Sequence, residues 1–469
     1  MNRSLASHRP QEGLAMIMVS ETAPGLKAFL GKTGLHEFAR RMVMRMVLAF
    51  AFHRGRMSCS QAAGMIGSQS IHRGQLTRFM ARPRWQKNDF NSPLRAALLQ
   101  WEAVQGRFIF IVDATLVSQA GEKTENVIAP GMRQKKKRSK GYRKRLKSKY
   151  KKCHSFTFGL LITPSGIRIP YQIPHYTKEY CAEKNIPHRT TAEAAADMIR
   201  DLSLPEDADV VVLGDTAYDA KVVRQACEDR NYLWITPANP ERVYEGSKGN
   251  RPRLRSRLKD WTGLSLKTIR LRASTGRYAD YRRLSRWRVG PKQKPRAFYA
   301  HQEKSDVRSV GRVQLVFSTT KQNLKSASPD DVKILMTNAL TMSVSEEIER
   351  YSLRWQIELF FKELKSTLGF SQYSFHDFQA VEGWANIAIT TVLYLETERA
   401  RKLQDRRSSK ERRDWWRAQR LHGLCLAFRQ ECEANELKYV ESRLKTIGGI
   451  KKLKQILMAA IPAEYRTNI

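Results

Sequence analysis

The 469-residue sequence predicts an α/β fold: a mixed sheet flanked by helices, interrupted by a β-rich insertion, with helical N- and C-terminal regions. Three observations carry this expectation. "RFIFIVDATLV" from Arg107 and "ADVVVLGDTAYD" from Ala208 are continuous apolar runs with the β-branched content of buried central strands. Between them, "SFTFGLLI", the turn Pro164-Ser165-Gly166 and "IRIPYQI" read as an antiparallel hairpin. "TTAEAAADMIRDL" then has helical periodicity and opens on a capping box from Thr190 to Glu193.

Taken in order, residues 1–105 read as a helical N-terminal region. Residues 106–245 supply strand, hairpin, helix, strand, helix and, at "NYLWIT", a fifth strand, the order of a mixed sheet. Residues 246–325 turn basic and alternating ("LSLKTIRLRAS", "YADYRRLSRWRVG", "KPRAFYAHQ", "RVQLVFSTT") and form the β-rich insertion. Within 326–400 the core resumes at "VKILMTNAL". Ser343 and Glu346 offer a second capping box there, opening the helix that holds "RYSLRWQIELFFKELKSTLGF". Residues 401–469 are helical and increasingly basic.

Composition narrows the function. Lys and Arg number 84 against 45 Asp and Glu, a net charge of +39. Such a field favours a polyanion, because each phosphate neutralised releases condensed counterions, and nucleic acid leads over an acidic membrane surface or protein. The 41% hydrophobic content argues against global disorder. "WANIAITTVLYL" is shorter than the roughly 20 residues a bilayer requires, and "LAMIMV" is shorter than a secretory core. Neither a membrane nor export is expected. Six well-separated cysteines without a C-x-x-C pair predict reduced thiols, no structural zinc and a cytoplasmic location.

Two segments suit DNA directly. "SCSQAAGMIGSQSIHRGQLTRFMARPRW" has two short helices about a turn near Gly67-Ser68, with Arg73, Gln75, Thr77 and Arg78 on the second. It fits a helix-turn-helix and equally two helices of an ordinary bundle. "RQKKKRSKGYRKRLKSKYKK", residues 133–152, holds 13 basic residues and no acid. It reads as an arm along a DNA backbone, with a solubilising loop the plainer alternative.

The chemistry centres on acids. At about 100° per residue, Tyr351, Arg354, Glu358 and Lys365 share an arc of roughly 60° on a continuous helix, and Glu363 falls outside it. An exposed face with favourable Arg-to-Glu spacing would look the same. However, "WQIELFF" places Glu358 near the core, where an acid needs a partner such as a metal. Asp113 interrupts one apolar strand and Asp215 ends another. Three acids from two strands and a helix can converge at the carboxyl edge of a sheet. Their hard oxygens suit two Mg²⁺ ions, with Mn²⁺ substituting, acting on a phosphodiester.

The spacing Y-x2-R-x3-E-x6-K in "YSLRWQIELFFKELK", supported by "IVDATLV" and "LGDTAYD", resembles bacterial insertion-sequence transposases of the DDE class, within the ribonuclease-H-like superfamily. The resemblance covers about residues 107–400. It implies a ribonuclease-H-like core in which Asp113, Asp215 and Glu358 are catalytic and hold two Mg²⁺ ions, while Tyr351, Arg354 and Lys365 contact DNA. It further implies double-stranded DNA partners (terminal inverted repeats and target) and a homodimer in the synaptic complex. The N-terminal region would recognise the DNA ends, and the protein would sit at the bacterial nucleoid. A flipped base held by Trp287 or Trp261 is a further implication, although no local motif selects either over ordinary packing. The alternatives are a domesticated, non-catalytic DNA-binding protein and a structure-specific nuclease with the same core.

Overall fold

The structure is a computed structural model that describes residues 23–53, 55–65, 72–82, 85, 89–102, 105–119, 121, 123–128, 152–205, 207–245, 252–258, 266–271, 296–321, 329–452 and 455. The basic segment 133–151, Gly67, Ser68, Trp261 and Trp287 lie outside the described residues, and so do the expectations that fall on them.

Five helices come first: α1 (Pro24–Gly31), α2 (Glu37–Phe52), α3 (Cys59–Met65), α4 (Arg73–Met80) and α5 (Ser92–Leu99). Then follow β1 (Phe108–Ser118), β2 (Cys153–Ile162), β3 (Arg168–Pro174), α6 (Lys178–Lys184), α7 (Thr191–Arg200), β4 (Val210–Leu213), α8 (Lys221–Glu228) and β5 (Leu233–Pro237). The chain continues through α9 (Leu254–Arg257), β6 (Lys267–Leu271), β7 (Arg296–Val307), β8 (Gly311–Thr319) and β9 (Lys333–Thr337). It finishes with α10 (Val344–Ser352), α11 (Trp355–Thr367), α12 (Phe378–Gln404), α13 (Lys410–Ala418) and α14 (Leu421–Ile447). The Thr190–Glu193 capping box forms in both directions at α7, and the Ser343 side chain accepts from the Glu346 N–H at α10.

The nine strands among the described residues join one sheet in the order β3-β2-β1-β4-β5-β9-β8-β7-β6. β1, β4 and β5 run parallel, and the remaining pairs are antiparallel. The basic strands β6 to β8 therefore extend the central sheet, with β9 bonded to β5 on one side and β8 on the other. β6 forms the edge on this side, and β8, despite its alternating sequence, is buried continuously from Val313 to Thr319; the unbroken apolar runs of β1, β2 and β4 reflect strands covered on both faces.

The helix α12 organises the helical side. "WANIAITTVLYL" lies within it, and its apolar residues are buried, which accounts for a run that no membrane needs. No helix among the described residues is long and apolar enough to cross a bilayer. Phe50 of α2 meets Trp384 edge-on at 4.7 Å, and the Asn91 amide before α5 donates to the Asn386 carbonyl. All six cysteines are buried and free.

Candidate active site

Register decides where the first two acids meet. Ile111 of β1 pairs with Leu213 of β4 in the parallel ladder. Asp113 and Asp215 each lie two residues beyond that last rung, Asp113 within β1, which runs on to Ser118, and Asp215 just past the end of β4. β4 stops at Leu213, and Asp215 caps the short 3₁₀ turn Thr216–Tyr218, its Oδ1 accepting from the Ala217 N–H at 2.8 Å. Gly214 allows that turn to close. A Cβ there would lie 2.9 Å from Cβ of Tyr218, nearer than packed atoms approach.

The helix carrying Glu358 arrives by packing. Asp113 faces Phe158 across the β1–β2 pair, so the two share a face of the sheet. Phe158 meets Phe361 of α11 at 5.3 Å and Phe360 at 6.2 Å. These contacts lay the first two turns of α11 over that face.

The continuous helix expected across residues 350–370 is divided. α10 ends at Ser352, and α11 begins at Trp355. At the join, Arg354 N–H bonds Tyr351 O and Gln356 N–H bonds Leu353 O, a tighter i−3 pattern. Each residue in such a turn advances about 120° rather than 100°. The arc drawn on an ideal helix is thus altered where it matters most, and tertiary contacts bring the polar residues together.

Arg354 is the link. Its Nη1 donates to Asp113 Oδ2 at 3.3 Å, and its Nη2 donates to Glu358 Oε1. The three side chains are 15%, 19% and 34% exposed respectively, so this bridge is shielded but reachable from solvent. The Asp113 carboxyl is pushed up from 3.8 to about 6, chiefly by burial; the Ala114 N–H and Arg354 oppose the rise, and the charges of Asp215 and Glu358 add to it. Asp113 therefore feels both other acids.

The remaining residues frame this centre. Tyr351 is buried, with the Lys333 ammonium 4.6 Å from its ring centroid. Burial raises its hydroxyl well above the ordinary value, with Asp215 and Asp113 adding to the effect against Arg354. Lys365 donates to the Leu116 carbonyl of β1 at 2.9 Å, and burial lowers its ammonium. Glu363 turns away into a buried network with Arg168 at 2.9 Å and Arg420 at 3.5 Å. Tyr218 is a residue that the sequence pattern did not single out. It is buried, and burial followed by the charges of Asp113 and Asp215 raises its hydroxyl. The aromatic three residues after Asp215 was the available signal.

Among the described residues, no three of His, Cys, Asp or Glu are grouped so as to hold a metal ion. The donor chemistry nevertheless fits a hard divalent cation: three carboxylates, two of them raising the proton affinity of the third, form a field that positive charge relieves. Arg354 takes that counter-charge position between Asp113 and Glu358.

No curated protein matches the chain. A family model described as "Transposase DDE domain" matches residues 105–394, more than half of the sequence. Because the matched span runs from the strand that carries Asp113 through the helix that carries Glu358 and into the one beyond, the chain belongs to the family of transposases with a DDE domain.

Proposed function

We propose that this transposase cuts the ends of a bacterial insertion sequence by phosphodiester hydrolysis and joins each freed 3′-hydroxyl to another DNA strand. The observation that carries the reading is the Arg354 bridge between Asp113 and Glu358, with the charge of Asp215 acting on Asp113. Asp113, Asp215 and Glu358 are the residues that would hold two Mg²⁺ ions, Mn²⁺ substituting. Such ions supply Lewis acidity toward the phosphodiester and lower the pKa of water.

The chain's own groups do the positioning. Arg354, with a planar fork of donors, can exchange one carboxylate for a phosphate oxygen and hold the scissile strand beside the acids. Lys365 and Tyr351 flank the same edge and would contact adjacent phosphates. The Y-R-E-K spacing would thus serve DNA contact and carboxylate placement together. A homodimer would hold two terminal inverted repeats beside target DNA in the synaptic complex, on the nucleoid, with the N-terminal helices recognising the ends.

The test incubates purified protein with a DNA end, Mg²⁺ and a plasmid, and sequences the products. Asp113→Asn, Asp215→Asn and Glu358→Gln are each expected to abolish cleavage while end binding stays within a few-fold. Normal cleavage by any one removes that residue from the site. Cleavage without joined products would make the protein a structure-specific nuclease. Binding without cleavage in the wild type would make it a non-catalytic relative.

A further inference from the structure

A cleft of about 410 Å³ opens between α2 and α4, lined by Phe38, Arg41, Met42 and Arg45 on one side and Gln75, Arg78, Phe79 and Arg82 on the other. The two walls share a spacing. On each, a first residue is followed three, four and seven positions later by arginine, an apolar residue and arginine; Phe38 to Arg45 lie on α2, whereas Gln75, Arg78 and Phe79 lie on α4 and Arg82 follows two residues past its end. The two walls meet through Phe38 and Phe79, and a pair of guanidiniums stands on each side of the opening.

The floor is rigid. Phe79 stacks on Trp85 at 4.5 Å and takes the edge of Phe38 at 6.3 Å, and the Trp85 indole donates to the Phe79 carbonyl at 2.7 Å. The four guanidiniums stand around this aromatic floor. Their charge is largely uncompensated. Among the described residues Arg45, Arg78 and Arg82 form no ion pair, and Arg41 meets only Glu37 at 3.8 Å, with both side chains well exposed. Burial and then the charge of Arg41 lower the Arg45 guanidinium. Four like charges about an open cleft on a chain of net charge +39 call for a polyanion.

We propose that this cleft seats the phosphodiester backbone of duplex DNA, gripping phosphates in either rim without reading bases. The proposal rests on the transposase reading for its choice of polyanion and adds where on the N-terminal helices the backbone lies. Arginine rather than lysine suits the task because its planar fork matches phosphate oxygens. Contacts of this kind set affinity, salt dependence and register, not sequence choice.

The experiment measures fluorescence anisotropy of two labelled duplexes of unrelated sequence, in EDTA, across a salt series. The full chain is compared with R41Q/R45Q/R78Q/R82Q and with the half-variants R41Q/R45Q and R78Q/R82Q, each checked for a wild-type melting profile. Every phosphate that a variant leaves unneutralised is expected to reduce the slope of log K against log salt by about 0.9, so the quadruple variant drops by about 2–4 and each half-variant by about half of that. The drop is the same on both duplexes. Should the quadruple variant fail to fold, the half-variants decide. An unchanged slope in folded variants overturns the proposal, as does an effect confined to one sequence. Weakened binding to a polyglutamate peptide with DNA binding intact also overturns it, assigning the cleft to an acidic protein. Failure of Mg²⁺-dependent cleavage with the cleft's salt effect intact would count against the transposase reading alone.

Discussion

Asp113→Asn is expected to stabilise the protein while abolishing cleavage. In the fold the Asp113 carboxyl rises from 3.8 to about 6, above all through burial. A rise of roughly two pH units corresponds to about 3 kcal/mol, at about 1.36 kcal/mol per unit. The side chain is 19% exposed, and solvent screening brings the working figure to about 2–3 kcal/mol. The sign follows from linkage. With the folded value above the unfolded one, this group's contribution to stability is complete below pH 3.8 and is lost as pH rises through about 6. Above that window the folded state carries a carboxylate its surroundings disfavour. Asparagine has no proton to lose and keeps an oxygen that can accept from the Ala114 N–H.

Thermal unfolding in EDTA between about pH 4 and about pH 7.5 measures the effect. The two proteins should melt together at the acid end, and the variant should lead by a few degrees at neutral pH. Mg²⁺ should then raise the wild type alone. The reasoning fails if the variant tracks the wild type across the range or melts earlier at neutral pH.

Three further outcomes are expected. Arg354→Ala removes the counter-charge shared by Asp113 and Glu358, so without metal the Asp113 carboxyl is expected to titrate above its wild-type value of about 6. Thermal unfolding across pH in EDTA checks this, and an unmoved transition would show that Arg354 acts on DNA alone. Glu363→Gln breaks a buried cluster with Arg168, Arg420 and the Leu421 N–H, and urea unfolding should show a loss of about 3–5 kcal/mol. Adding Arg168→Met should recover part of that loss. Gly214→Ala drives a Cβ against Tyr218 and Val112, costing about 1–3 kcal/mol. It should slow cleavage with duplex affinity unchanged, because the turn that holds Asp215 shifts.

Much of the fold was legible because its signals are local. Runs such as Ile109–Val112 and Val210–Leu213 declare central strands through their unbroken apolarity, and Thr190 with Glu193 declares a helix start through one reciprocal pair of hydrogen bonds. The acids were legible for the same reason, since a charge inside a buried run needs an explanation.

Other features depend on distance along the chain. Nothing near residues 311–319 announces that β8 bonds β9 and so extends the central sheet, because strand partners are set by packing across tens of residues. The helix break before Trp355 arises where Leu353 buries and the backbone tightens, which an ideal wheel does not contain. The sequence alone determined which side chains carry charge and which strands are buried, both properties of composition and short-range pattern. Only the tertiary structure decided that β1 and β4 align two residues short of their aspartates and that Arg354 draws Glu358 to Asp113, since register and helix placement are set by contacts between segments as much as 241 residues apart.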